Sequence, residues 1–337
     1  MTSVLIAGLG DVGVRTARQL LDTPGIDHVY VAARSQKHAD TVASALHDGA
    51  TPWELSHHDP VFPDGVDAIA SALPPHDDLT LAQAALRAGI SFASASDDAN
   101  ELNALVGLDA DARAAGLRVL VGCGLAPGLS DVLARHAAGA LDAVDEIHVA
   151  RWGVAGETCA ESARRAHRDP GLEWRDGAYV HDRHQGPELV WFPDPVGARE
   201  CALVASGVEL LVTANPGLER ATVRLGGPAP RVGVRRALTP PPRRDPGASW
   251  GAVRAEAWGQ RGDTRETVVY GVIEQTAVAT GTVLGVAAAA LAGGMPDVTT
   301  PTLGAHGLGT AVNALPFLAE LARRGVKAAA FEGATIA

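Results

Sequence analysis

Six residues near the start of the chain, Gly8-Leu9-Gly10-Asp11-Val12-Gly13, have the spacing of a turn that receives a pyrophosphate. Gly8 permits the tight turn, Gly10 lets backbone come close to a ligand, and Gly13 lets the next helix pack on the preceding strand. The helix N-terminus adds N–H donors and partial positive charge. In a chain with 38 glycines such a pattern is weak alone, and a structural turn is the alternative. Its context strengthens it, because an apolar run at 4–7 precedes it and an amphipathic stretch at 12–21 follows. About twenty residues beyond the glycines, where an acid would hold the ribose hydroxyls of NAD, the chain reads Ala32-Ala33-Arg34-Ser35-Gln36-Lys37. Arg34 suits a 2′-phosphate and the adenine face, and Ser35 and Lys37 can add donors, so the expected dinucleotide is NADP(H). The competing reading is a solvated basic loop.

Doubly wound sheets bind ligands beyond the carboxyl ends of their strands. Three turns are expected there, at 73–78, 94–98 and 122–128, which puts Ala72, Leu73, Pro74 and Gly122 beside the cofactor. His76 and Asp97 are candidates to hold or exchange a proton. Against this, His76 can be a plain loop histidine, and Asp97 or Asp98 can cap the following helix. Cys123, between two glycines, could be the thioester-forming nucleophile of a semialdehyde dehydrogenase. No histidine partner is evident, and a small buried residue explains Cys123 as well. Substrate carboxylates call for arginine, and Arg151, Arg175 and Arg199 lie near Trp152, Trp174, Trp191 and Phe192. Those aromatics wall a pocket or form a homodimer interface. Arg231, Arg235, Arg236, Arg243 and Arg244, in a Pro-rich stretch at 226–247, read as a solvated loop more than a lid, and His306 reads as a loop residue. The 12 histidines show no ligand spacing, so no metal is expected.

The elements that must position these groups alternate along the first part. Strands are expected at 4–7, 29–33, 68–73, 90–94 and 118–121, and helices at 12–21, 39–47, 79–88 and 100–115, with Asp77 or Asp78 capping the third helix. That alternation means a parallel sheet with helices on its faces. From about 125 the texture changes to strands at 146–152, 221–225, 252–257 and 267–273, an antiparallel or mixed sheet in a second lobe. Helices at 276–291 and 309–323 and a strand at 326–331 follow. The expected division is 1–124 nucleotide-binding, 125–275 substrate and dimerisation, and 276–337 returning to the first lobe. A net charge of −11 over 337 residues argues against nucleic acid or an anionic membrane. The uncharged stretch 275–296 is Ala-, Gly- and Thr-rich, so it reads as a buried helix. Three cysteines without paired spacing and an opening MTSVLIAGLG without a targeting signal lead to a cytoplasmic expectation.

Several segments also resemble a known family. Asp67-Ala68-Ile69-Ala70-Ser71-Ala72-Leu73-Pro74-Pro75 is similar to the strand and LPP turn of saccharopine dehydrogenase-like proteins. Residues 84–92 with Ser96-Asp97-Asp98 resemble that family's next helix, strand and acidic turn. Gly122-Cys123-Gly124-Leu125-Ala126-Pro127-Gly128-Leu129 resembles its crossing between lobes, and Ala279-Thr280-Gly281 the opening of its late helix. The chain looks most like an actinobacterial branch. It is shorter than the saccharopine-forming enzymes, and its second lobe does not match theirs. The resemblance implies an α/β fold: a Rossmann doubly wound parallel sheet plus a second α+β lobe for substrate and dimerisation. It also implies NAD(P)-linked hydride transfer at a C–N bond of an amino-acid or imine substrate, in a homodimer. A protein that senses NADP(H) without turnover is the non-enzymatic alternative.

Overall fold

The computed structural model describes residues 1–46, 49–56, 58–182, 186–227, 250–299 and 302–331. The first lobe runs β1 (Ser3–Ala7), α1 (Asp11–Leu21), β2 (His28–Ala33), α2 (Gln36–Ala45), β3 (Ala50–Glu54), β4 (Ala68–Ser71), α3 (Asp78–Arg87), β5 (Ser91–Ser94), α4 (Ala99–Val106), α5 (Asp109–Ala114) and β6 (Arg118–Val121). Val4 to Ala7 are fully buried, as both faces of a helix-covered parallel strand must be. Such strands read as continuous apolar runs, which is why the short stretches ending at Ala7, Ala33 and Val121 were recognisable.

The second lobe begins with α6 (Leu129–Ala138) and continues through β7 (Ala143–Trp152), α7 (Glu157–Ala166), β8 (Gly171–Arg175), β9 (Ala178–Asp182), β10 (Glu188–Trp191), β11 (Ala198–Leu203), α8 (Val208–Ala214), β12 (Arg220–Gly226), β13 (Trp250–Arg261) and β14 (Thr264–Gln275). The chain closes with α9 (Thr276–Leu291), β15 (Gly304–Gly307), α10 (Leu308–Ala311), α11 (Ala314–Arg323) and β16 (Ala329–Phe331).

Two sheets result. The first is parallel, in the order β15-β6-β5-β4-β1-β2-β3, so the strand order reverses direction between β1 and β4. The second is mixed, in the order β10-β11-β12-β7-β13-β14-β16, with the β8–β9 hairpin on β12. Among its described strands only β12 and β7 run parallel; the other neighbours are antiparallel.

Helix α9 is the uncharged stretch, and it is buried along almost its whole length. A Cβ at Gly281 would stand 2.7 Å from Arg15 Cβ, and one at Gly285 would stand 3.0 Å from Gln19 Cβ. The small residues therefore let α1 lie directly against α9, which fixes the angle at which α1 presents its N-terminus. No helix among the described residues is long and apolar enough to cross a membrane.

The structure corrects several expectations. His306 lies in β15, paired with Leu120 of β6, rather than in a loop. The helix expected over 100–115 is two helices, broken after Gly107, and that over 309–323 is α10 and α11. The last strand joins the second sheet beside β14 instead of the first. Residues 228–249, including all five arginines of the Pro-rich stretch, lie outside the described residues.

Candidate functional site

A cavity of about 610 Å³ opens where the strand order reverses, between the carboxyl edge of the first sheet and the second lobe. The β1–β4 register pairs Ala7 with Ser71, so the turns after both strands sit side by side. Gly8, Leu9, Gly10, Asp11 and Val12 line one wall, and Ala72, Leu73, Pro74 and Pro75 the adjoining one.

The turn's glycines have separate reasons. Gly8 has φ +92°, and a Cβ there would meet Ala72 O at 2.7 Å. A Cβ on Gly13 would stand 1.8 Å from Gly8 O, so only glycine lets α1 pack on the turn. Nothing lies within 4 Å of a Cβ built on Gly10. That space is a cradle a side chain would fill, and Gly10 caps α1 with no side-chain bond to its N–H groups. The turn and helix start therefore fit a pyrophosphate. Arg34, Ser35 and His38 line the cavity at the end of β2; Lys37 does not, and neither do Gly13 and Gly122.

At the other end Asp97 joins the lobes. Its Oδ2 accepts from Arg151 Nη2 at 2.9 Å, its Oδ1 from Ser162 Oγ at 2.7 Å, and its backbone O from Ser206 Oγ at 2.6 Å. Arg151 Nη1 also donates to Ala126 O at 2.7 Å. A largely buried guanidinium is thus neutralised by a carboxylate whose two oxygens are both occupied. Asp98, not Asp97, caps α4, accepting from the N–H groups of Asn100 and Glu101.

Beneath this end lies a polar cluster. Asp78 Oδ1 and Oδ2 accept from Ser71 Oγ and Ser94 Oγ, at the ends of β4 and β5. Its N–H donates to Glu101 Oε1 at 2.9 Å, and Glu101 Oε2 accepts from Ser96 Oγ at 2.6 Å. Burial first, then the neighbouring Glu101 charge, pushes Asp78 up to about 7, and burial also raises Glu101. Of the two residues expected to cap α3, Asp77 occupies the N-cap position, and Asp78 is a buried acid at the helix's first position.

Other candidates lie elsewhere. Cys123 is fully buried and absent from the cavity wall; its Sγ faces Leu120 O at 3.6 Å, and burial pushes the thiol well above its ordinary range. That environment suppresses the thiolate a nucleophile needs. His76, at φ +79°, contacts Arg165 Nη1 at 2.8 Å and is outside the cavity lining. Arg175 bonds to Glu173, Arg199 stands 5.0 Å over the Trp152 ring, and Trp191 is 63% exposed, so of the proposed substrate-binding residues only Arg151 reaches the cavity. The lining also includes Cys159, Ser162 and Thr276, which no motif marked, and Ser96 and Thr280, which the sequence singled out only within longer segments. Helix α7, source of Cys159 and Ser162, has a short polar sequence with few apolar residues to reveal it.

No family model matches the chain. Among solved structures, the apo saccharopine dehydrogenase (L-Glu forming) of Saccharomyces cerevisiae superposes with a TM-score of 0.69 at 14% identity, over 98% of this chain and 100% of that one. A meso-DAPDH mutant with DAP from Clostridium tetani gives 0.53 at 13% identity, over 91% and 94% of the two chains. The amine dehydrogenase of Mycobacterium smegmatis gives 0.53 at 12%, over 93% and 96%. At these identities the likeness concerns architecture, and the chain has a saccharopine dehydrogenase-like fold: a parallel Rossmann sheet joined to a second mixed-sheet lobe.

Proposed function

We propose that the chain is an NADP(H)-dependent oxidoreductase acting at a C–N centre of an imine or amino-acid substrate. The observation that carries this reading is the single cavity running from the Gly8–Gly10 turn, past Arg34 and Ser35, to Asp97 and Arg151 of the second lobe. A bound NADP(H) would supply or accept the hydride. Gly8, Gly10 and the start of α1 would hold its pyrophosphate, and Arg34 with Ser35 its 2′-phosphate. The saccharopine, DAPDH and amine dehydrogenase likenesses support chemistry at a C–N bond.

Reducing an imine also requires a proton at nitrogen. Asp97 is engaged at both oxygens, so its role in this reading is to hold Arg151 as a wall of the substrate end. Ser96 is the better-placed proton donor. It lines the cavity, and its hydroxyl donates to Glu101 Oε2 at 2.6 Å, so in this reading the Ser96–Glu101 pair is the candidate route for the proton. Buried Cys123 disfavours thioester chemistry.

The test follows NADPH oxidation in the presence of keto acids and aldehydes, each supplied with ammonium or a primary amine. Turnover with one such pair supports the reading. Tight nucleotide binding without oxidation across the panel would favour a redox-sensing protein.

A further inference from the structure

We propose that the N-terminal end of α9, with the hydroxyls of Thr276 and Thr280, binds a carboxylate of the substrate, so that the carbonyl compound used is an α-keto acid rather than a simple ketone or aldehyde. The inference rests on the oxidoreductase reading and narrows its substrate class.

Helix α9 is 16 residues long, and its cap, Gln275, makes no side-chain bond to the N–H groups of the first turn. Those groups have no partner within the helix, and they form the positive end of its dipole. A Cβ on Gly281 would stand 2.7 Å from Arg15 Cβ, and one on Gly285 3.0 Å from Gln19 Cβ, so the contact advances four residues along both helices. Helices α1 and α9 therefore run parallel and open their N-termini on the same cavity, which Gly10, Asp11, Thr276 and Thr280 all line. The start of α9 lies toward the second lobe. A Cβ on Gly153, two residues beyond Arg151, would stand 2.9 Å from Thr276 Oγ1.

Two hydroxyls point to a ligand there. Thr276 is 2% exposed, and its Oγ1 has no hydrogen-bond partner. Thr280 is 7% exposed, lies on the cavity wall one turn further on, and makes no side-chain hydrogen bond among the described residues. A helical threonine can satisfy itself on the carbonyl four residues back, as Thr282 does on Val278 O at 2.8 Å. Thr280 does not. A buried hydroxyl without a partner costs stability, and a ligand acceptor removes that cost.

The charges around the helix start favour an anion held by neutral donors. Arg151 is matched by Asp97, so that wall is neutral as a pair. Asp11 leans away toward α7: a Cβ on Gly156, the cap of that helix, would stand 3.0 Å from Asp11 Oδ2. The dipole of α7 favours the Asp11 charge there, and Glu157 beside it is exposed to solvent. A carboxylate has the charge and the acceptor oxygens to take both the α9 N–H groups and the threonine hydroxyls.

The test compares each α-keto acid of the NADPH-oxidation panel with the methyl ketone in which CH3 replaces the carboxylate, phenylpyruvate with phenylacetone being one such pair, each supplied with ammonium. The wild type should favour the keto acid at least about tenfold in kcat/KM, the worth of one charge-assisted hydrogen bond. Thr280→Val should remove most of that preference through KM, while the ketone's kcat/KM, the calorimetric affinity for NADPH and the thermal midpoint stay at wild-type values. Thr280→Ser should restore the preference. Thr276→Val should also weaken keto-acid use yet melt no lower than wild type, because a buried hydroxyl without a partner is gone. Equal use of keto acid and ketone by the wild type would overturn the inference, as would a loss in Thr280→Val shared by both. A fall in NADPH affinity in Thr280→Val would also overturn it, by placing a cofactor phosphate at the start of α9. No NADPH oxidation with any carbonyl–amine pair would overturn the oxidoreductase reading itself, a separate and recognisable failure that takes the inference with it.

Discussion

Replacing Asp97 by alanine isolates the contact that joins the lobes at the substrate end. Arg151 is 9% exposed at its side chain and Asp97 17%, so the pair is largely removed from water. In Asp97→Ala the guanidinium keeps Ala126 O but loses the carboxylate, and Ser162 loses its acceptor. Stranding one member of a buried pair costs about 3–5 kcal/mol, and the residual exposure of Asp97 argues for the lower end. At about 2 °C per kcal/mol for a chain of this size, the thermal midpoint should fall by roughly 6 °C. The companion Arg151→Met removes the charge that would be stranded. Stability of wild type, both single variants and the double variant, measured by urea unfolding, then forms a cycle. The double variant should recover at least about 1 kcal/mol relative to the sum of the singles. Strict additivity, or an Asp97→Ala cost below about 1 kcal/mol, would refute the view that Asp97 exists to neutralise Arg151.

Three more outcomes follow from the same structure. Gly10→Ala places its methyl group in open space, so stability should stay within about 0.5 kcal/mol of wild type while NADPH affinity falls at least about tenfold; isothermal titration and melting separate the two effects. Asp131, fully buried at the start of α6, is pushed up to about 7 by burial. A raised carboxyl stabilises the fold below its unfolded value near 3.8 and loses that contribution as pH rises toward 7, by up to about 1.4 kcal/mol per pH unit. The wild-type minus Asp131→Asn difference in unfolding free energy should therefore shrink from pH 4.5 to 7, and a constant difference would contradict it. Iodoacetamide should label Cys123 only after unfolding, as mass spectrometry of the folded and urea-treated protein would show, and rapid labelling of the folded chain would restore it as a nucleophile candidate.

The parts legible in the sequence were those with local causes. Gly8, Gly10 and Gly13 follow an apolar strand and open an amphipathic helix, and the structure gives each a steric or spatial reason. The composition of α9 announced burial because its small residues serve one close helix contact. Strand β3 was not anticipated, since Pro52 and Trp53 in a half-exposed edge strand disturb both alternation and apolar continuity. Strand β15, Gly-Ala-His-Gly, has almost no β-forming residues and exists because the edge of β6 accepts it. The substrate end was the least legible. Asp97 and Arg151 are 54 positions apart, and Ser162 is 65 from Asp97, so nothing local links them. The aromatic cluster of the second lobe attracted attention by composition, yet Phe192 fills a small core with Ala150, Val196, Cys201 and Ala252. Spacing identifies a turn; it does not identify which distant helix completes a pocket.

The central claim is that the Gly8–Gly13 turn and Arg34 together select NADP(H). Its most direct test is calorimetric titration of NADPH and NADH into wild type and Arg34→Ala at pH 7. The account predicts wild-type binding at least about tenfold tighter for NADPH, with the difference collapsing in Arg34→Ala while NADH affinity is retained. Equal or tighter NADH binding by the wild type would contradict it, and binding of neither nucleotide would reduce the glycine turn to a structural element.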